Sequence, residues 1–243
     1  MVPGDVAGSP RVEAGRVHRE MRALADPQRA AFVRRFFKTA PGEYGAGDRF
    51  LGLTVPQVRR VALKYQAMPL PAVRALLKSP WHEERLLALL ILVRQYERGT
   101  SVQRDAIYRM YLANTARINN WDLVDCSASA IVGAHLSDRA RSELRRLARS
   151  PLLWERRMAI IATHFFIKDG EVGETLRIAD ALLDDTHDLI HKAVGWMLRE
   201  AGKRDRAALE TFLRRHARRM PRTMLRYAIE RFPASLRRRY LTV

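Results

Sequence analysis

The sequence predicts an all-α protein assembled from stacked helix pairs, and three observations carry that prediction. Apolar residues recur at three- and four-residue steps almost everywhere after residue 15, as in LLALLILVRQY (86–96), MAIIATHFF (158–166) and LIHKAVGWML (189–198). That spacing lays one face of an α-helix on a core, and no stretch keeps the strict two-residue alternation of a half-buried strand. Two segments 71 residues apart also repeat one another: SPWHEERLLALLILVRQYERG (79–99) and SPLLWERRMAIIATHFFIKDG (150–170) share Ser-Pro, Glu-Arg, a following Ala and a closing Gly.

Taken in chain order, MVPGDVAGSPRVEAG (1–15) holds acidic residues and no apolar run. It reads as a disordered leader rather than a signal peptide, with residues 16–243 as a single repeat domain. Asp26-Pro27, Thr54 before Pro56, Ser79-Pro80 and Ser150-Pro151 look like helix N-caps with proline in the first turn. Gly99 and Gly170 look like C-terminal stops, which divides the chain into about a dozen short helices joined by loops of a few residues.

Half of 71 is near 36, and steps of 35 or 36 from Arg85 reach Trp121, Arg156 and Lys192. Lys192-x-x-Gly195 then repeats the spacing of Arg85-x-x-Ala88 and Arg156-x-x-Ala159. A helix-pair period in the high thirties lies close to the HEAT and armadillo class, in which each unit buries its face against its neighbours. The expected product is a right-handed superhelical solenoid with a concave basic groove. Equivalent positions of successive repeats would line one surface, so Arg85, the Trp121 turn, Arg156 or Arg157, and Lys192 with Trp196 would form a column. The alternative is a set of independent surface cations, each lying over a helix end.

Charge narrows the partner. Lys and Arg number 44 against 26 Asp and Glu, a formal net charge of +18. From Arg199 to the end, 14 basic residues face four acids, an excess of ten that is more than half of the net charge. Such a balance points to a polyanion, and phosphate contacts there would dominate affinity and weaken with salt. No charge-free apolar run approaches the length that spans a bilayer, and a membrane-surface role is disfavoured because Arg214 to Arg219 lacks an opposing aromatic face. The lone cysteine, Cys126, excludes an internal disulfide and a Cys-based zinc or iron-sulfur site. His187 and His191 stand at helical spacing without the H-E-x-x-H pattern, so a surface or capping role is favoured over a metal site. A cytoplasmic, nucleoid-associated chain is expected.

The most unusual string is ARINNWDLVDCSASAIVGAHL (116–136), in which a helix opens with two Asn, a Trp and two Asp within a few residues. Trp121 and Asp125 are one turn apart on one face, with Asp122 about a quarter-turn away. An indole against a carboxylate can shape an apolar wall and hold the charge in partly desolvated surroundings, where it acts strongly on a nearby cation. A purely structural reading stands beside this one: Asp122 caps the helix, Trp121 fills a gap between repeats, and Asp125 pairs with a basic residue of the next repeat. Trp196, one turn after Lys192 in the same register, favours the first reading. A carboxylate is misplaced in a polyanion groove unless it meets positive charge on the substrate.

The strings GEYGAGDRFLGLTVPQVR (42–59), RINNWDLVD (117–125), LWERRMAII (153–161), HDLIHKAVGWMLRE (187–200) and MPRTMLRYAIE (220–230) resemble the AlkD-type DNA alkylation repair proteins, HEAT-like-repeat alkylpurine DNA glycosylases. The resemblance runs from about residue 18 to the end of the chain. It implies that Asp125 is the catalytic aspartate, that Trp121 and Trp196 embrace the lesion-bearing nucleotide, and that Arg157 holds the DNA backbone nearby. Arg85, Arg156 and Lys192 are further candidates for backbone contact, and Tyr44 for an aromatic contributed by the N-terminal loop.

The implied reaction is hydrolysis of the N-glycosidic bond of a cationic alkylated purine of the 3-methyladenine or 7-methylguanine type. The implied partner is double-stranded DNA, bound by a monomer without cofactor or metal and without flipping the base into a pocket. Two other functions remain open. One is a non-catalytic DNA- or RNA-binding HEAT scaffold, and the other is a protein-interaction solenoid with an acidic partner.

Overall fold

The computed structural model of the chain describes residues 9–242. The chain divides into two compact units between Leu123 and Val124. The first contains α1 (Pro10–Ala23), α2 (Pro27–Phe36), α3 (Val55–Lys64), α4 (Leu70–Leu77), α5 (His82–Arg98) and α6 (Ser101–Leu112), and the division falls within α7 (Trp121–Asp125). The second contains α8 (Ser142–Ala148), α9 (Leu153–Ala162), α10 (His164–Lys168), α11 (Gly173–Ala181), α12 (Asp188–Arg204), α13 (Arg206–His216), α14 (Arg222–Ala228) and α15 (Ala234–Leu241). The protein is an all-α assembly of helical repeats. Among the described residues the β pairing is an isolated bridge between Arg49 and Trp81.

Of the leader expected over residues 1–15, the first eight lie outside the described residues. Residues 10–15 are helical, which corrects that boundary. Pro10 stands where a missing N–H costs nothing, Glu13 suits the first turn, and Val17 and Met21, one turn apart, are fully buried.

The first unit is organised around α5, which packs on α3, α4 and α6, while α1 packs on α4. From His82 to Leu89 every residue of α5 is buried. A helix enclosed on all sides carries no amphipathic stripe, and each fully buried leucine or isoleucine contributes about 1.5–3 kcal/mol relative to exposure. By contrast α2 buries none of its residues, and Phe32 and Phe36 stand exposed on it.

In the second unit α12 is central, packed on α9, α10, α11, α13 and α14, with α8 on α9. Gly195 permits the approach of α14: a Cβ there would lie 2.5 Å from the Met224 carbonyl oxygen.

The caps test the sequence reading locally. Asp26 accepts the Arg29 N–H, and Thr54 forms a reciprocal box with Gln57, both as the sequence predicts. The serines of the two Ser-Pro turns do not cap, because α5 and α9 begin at His82 and Leu153. Each serine hydroxyl instead accepts the N–H two residues on, from Trp81 and from Leu152, at 3.1 Å in both cases. That local turn competes with capping for the hydroxyl. The arginine six residues later then donates to the serine carbonyl, Arg85 to Ser79 and Arg156 to Ser150, again at 3.1 Å. The 71-residue repeat is thus reproduced in hydrogen bonds as well as in letters. Gly170 ends α10 in a left-handed conformation, with the Glu171 N–H returning to the Phe166 carbonyl.

Candidate functional site

In the first unit, four consecutive polar residues at the start of α5 are buried: His82, Glu83, Glu84 and Arg85. Each is spent on internal partners, and His82 and Arg85 share Asp48. Glu83 accepts N–H groups from Leu51, Gly52 and Leu53 at 2.9, 2.8 and 3.2 Å, and so closes the loop that leads into α3. Glu84 binds the His18 imidazole of α1. Arg85 donates to Asp48 at 2.6 Å as well as to the Ser79 carbonyl.

His82, 2 % exposed, lies between two carboxylates: Nδ1 is 2.8 Å from Asp48 and Nε2 is 2.8 Å from Asp122. Burial pulls the imidazole pKa down, but the charges and hydrogen bonds of Asp122 and Asp48 outweigh it and carry the value up to about 9. Burial likewise pushes Asp48 up, and the bond and charge of His82 together with Arg85 hold it below its ordinary value.

The chain enters α7 through RINNWDLVD, whose short polar side chains bind their own backbone. Asn120 accepts the Trp121 N–H at 2.8 Å and Asp122 accepts the Leu123 N–H at 2.9 Å. The half-buried Trp121 indole stacks on Phe37 at 5.3 Å with an 18° interplanar angle, and Phe36 stands edge-on to it at 5.9 Å. Phe37 in turn stacks on Phe50 at 5.1 Å and meets the His82 ring at 4.9 Å. Trp121 is therefore part of an aromatic wall. Tyr44 lies half-buried in the loop between α2 and α3.

In the second unit, Asp125 and Arg157 are brought together as a bidentate pair, Nε to Oδ1 and Nη2 to Oδ2, both at 2.8 Å. The third guanidinium nitrogen donates to the Leu189 carbonyl at the start of α12, at 2.6 Å. The carboxylate side chain is 19 % exposed and the guanidinium side chain 6 %. After Asp125 the chain makes a π-helical turn, Ser129–Gly133, that packs on α9, the helix carrying Arg157. The approach is close: a Cβ at Gly133 would lie 2.3 Å from the Ala162 carbonyl oxygen. Trp196 is half-buried on α12, with the His164 ring 6.1 Å away.

The other predicted contacts divide. Arg85 is 3 % exposed and donates inward, so its expected role against a nucleic-acid backbone is corrected to that of an internal brace. Its equivalent Arg156 is bound to Asp185 at 2.6 Å and to the carbonyls of Ser150 and Pro151. Lys192 is more exposed and pairs one turn back with Asp188 at 2.6 Å. His187 caps α12 by accepting the Leu189 N–H, and among the described residues no three His, Cys, Asp or Glu cluster as metal ligands.

Sequence reasoning missed Asp48, Glu83 and His82 as an organising group. The available signal was WHEER at the start of α5, four polar residues leading a helix that is otherwise apolar.

These features define an all-α helical-repeat protein, strongly basic, with a part-buried Asp-Arg pair and a tryptophan-capped aromatic wall. Residues 17–232 match the family described as DNA alkylation repair enzyme, and the chain belongs to that family. A solved structure titled "Predicted DNA alkylation repair enzyme from Enterococcus faecalis" shares the fold at 15 % identity and a TM-score of 0.67, covering 86 % of this chain and 97 % of that one. No curated protein is matched.

Proposed function

We propose that this member of the family is a DNA glycosylase that removes cationic alkylated purines, of the 3-methyladenine or 7-methylguanine type, from double-stranded DNA. The observation that carries the reading is Asp125, a carboxylate fixed by both arms of Arg157 in a chain whose net charge is +18. Oriented and partly desolvated, this carboxylate can stabilise positive charge that arrives on the substrate.

Alkylation supplies that charge and makes the purine a good leaving group. As the bond from C1′ to the purine nitrogen breaks, its electron pair neutralises the base and the sugar acquires oxocarbenium character. Asp125 stabilises that charge and orients a water, whose oxygen bonds to C1′ while its proton passes to solvent. Trp121 and Trp196 are assigned to flank the nucleotide, with the base left near the duplex. Arg157 orients Asp125. Three of its N–H donors are used in the bonds described above, and with its side chain 6 % exposed its assignment to a backbone phosphate rests on the family resemblance.

The test is incubation of the chain with methylated duplex DNA. The reading expects free methylated purine and abasic sites in equal amounts, and release of neither product contradicts it. One observation favours a second reading, a DNA-binding scaffold without chemistry: the bidentate Arg157 already compensates the Asp125 charge. That scaffold would retain DNA binding and yield no free base.

A further inference from the structure

The chemistry proposed above makes no use of His82, which is 2 % exposed and reaches the ring stacked on Trp121. We propose that His82 is a positioning residue for Trp121, fixing the start of α7 by donating from both ring nitrogens, one to Asp48 and the other to Asp122. The consequence for base release rests on the glycosylase reading, whereas the coupling of His82 to Trp121 does not.

Two independent connections carry the proposal. The first runs through the backbone: Asp122 Oδ2 is 2.8 Å from His82 Nε2, while Oδ1 of the same carboxylate accepts the Leu123 N–H at 2.9 Å. A single side chain thus ties the imidazole to the turn from which the indole projects. The second runs through rings: Phe37 meets His82 at 4.9 Å on one side and stacks on Trp121 at 5.3 Å on the other. Movement of the imidazole therefore reaches Trp121 both covalently, through its neighbour in sequence, and by packing.

Protonation decides whether the arrangement holds. Both ring nitrogens face carboxylates, and a neutral imidazole has one N–H, so only the imidazolium serves both acceptors. The charged and titratable groups around it are Asp48 from the loop before α3, Asp122 from α7, and Arg85 one turn along α5, which holds the other Asp48 oxygen. Phe37 and Phe50 close the remaining sides with uncharged rings, the latter at 4.6 Å. Burial opposes the charge and the two aspartates prevail, carrying the pKa to about 9, so His82 stays doubly protonated across neutral pH.

The test uses the full chain as wild type, His82→Gln, Trp121→Phe and the double variant. In His82→Gln, with helical circular dichroism retained, the emission assigned to Trp121 by difference from Trp121→Phe shifts. Release of methylpurine at saturating DNA falls roughly tenfold or more while DNA affinity stays within about threefold, the pattern of a misplaced group rather than a lost binding contact. Added to Trp121→Phe, the histidine substitution produces no further loss.

An unchanged Trp121 emission overturns the proposal, and so does a loss that persists in the Trp121→Phe background. If wild type releases no methylpurine, the glycosylase reading falls and the emission shift alone decides the coupling. Should His82→Gln not fold, the wild-type imidazole is titrated by NMR. Retention of both ring protons past pH 8, with Trp121 emission changing near pH 9, supports the proposal. Titration below pH 7 without change in emission overturns it.

Discussion

At the scale of single residues two charged clusters stand out, His82 between Asp48 and Asp122, and Asp125 on Arg157. His82 carries a folded pKa of about 9 against an ordinary 6.5, so its contribution to stability is fully present below pH 6.5 and is lost as pH rises through 9. The shift corresponds to an order of magnitude of 3 kcal/mol, supplied by the charges and hydrogen bonds of Asp122 and Asp48. Urea unfolding at pH 6 and pH 9.5 measures it: wild type should lose stability over that interval, and His82→Gln should lose distinctly less. Asp125, Trp121, Arg157 and Trp196 were legible as candidates through the family resemblance of the strings that hold them. Asp48 and His82 were not, since 34 residues separate them and nothing in a loop aspartate or one of seven histidines announces a buried pair. The Arg85 expectation failed for a related reason. Register identifies equivalent positions, as the matching Ser79 and Ser150 carbonyl bonds show, but not whether an equivalent arginine faces solvent.

Individual elements show where short-range rules suffice and where packing overrides them. The caps of α2 and α3 follow from Asp26-Pro27 and Thr54-x-x-Gln57 because the partners are three residues apart. The starts of α5 and α9 lie two residues beyond the expected ones because serine in a Ser-Pro turn finds a nearer N–H. The loop over residues 51–53 depends on a carboxylate thirty residues away. Glu83→Ala leaves three buried N–H groups without an acceptor and should cost about 2–4 kcal/mol in urea unfolding. At the π-helical turn, Gly133→Ala forces a methyl against the Ala162 carbonyl and should cost about 1–3 kcal/mol. Because α9 carries Arg157, the same variant should also slow base release, whereas an alanine at exposed Gly173 on α11, where an added Cβ meets only the end of the Arg177 side chain, should do neither.

For the molecule as a whole, charge and helical-repeat class were readable from composition and periodicity, while the division into two units was not, since repeats of one kind continue across it. A net charge of +18 predicts affinity for DNA that falls as a power of salt concentration. If about six phosphates are engaged, affinity should drop about a thousandfold between 50 and 200 mM salt. Binding measured by anisotropy across that range checks it, and a flat response would instead favour a protein partner. Charge alone, however, explains binding and not repair chemistry. The central claim is that Asp125 turns a DNA-binding repeat protein into an enzyme, and single-turnover release of 7-methylguanine from methylated duplex DNA by wild type and Asp125→Asn tests it most directly. The account predicts release by wild type and a loss on the order of a hundredfold or more in the variant, with DNA affinity and folding retained. Equal release by the two proteins would contradict it.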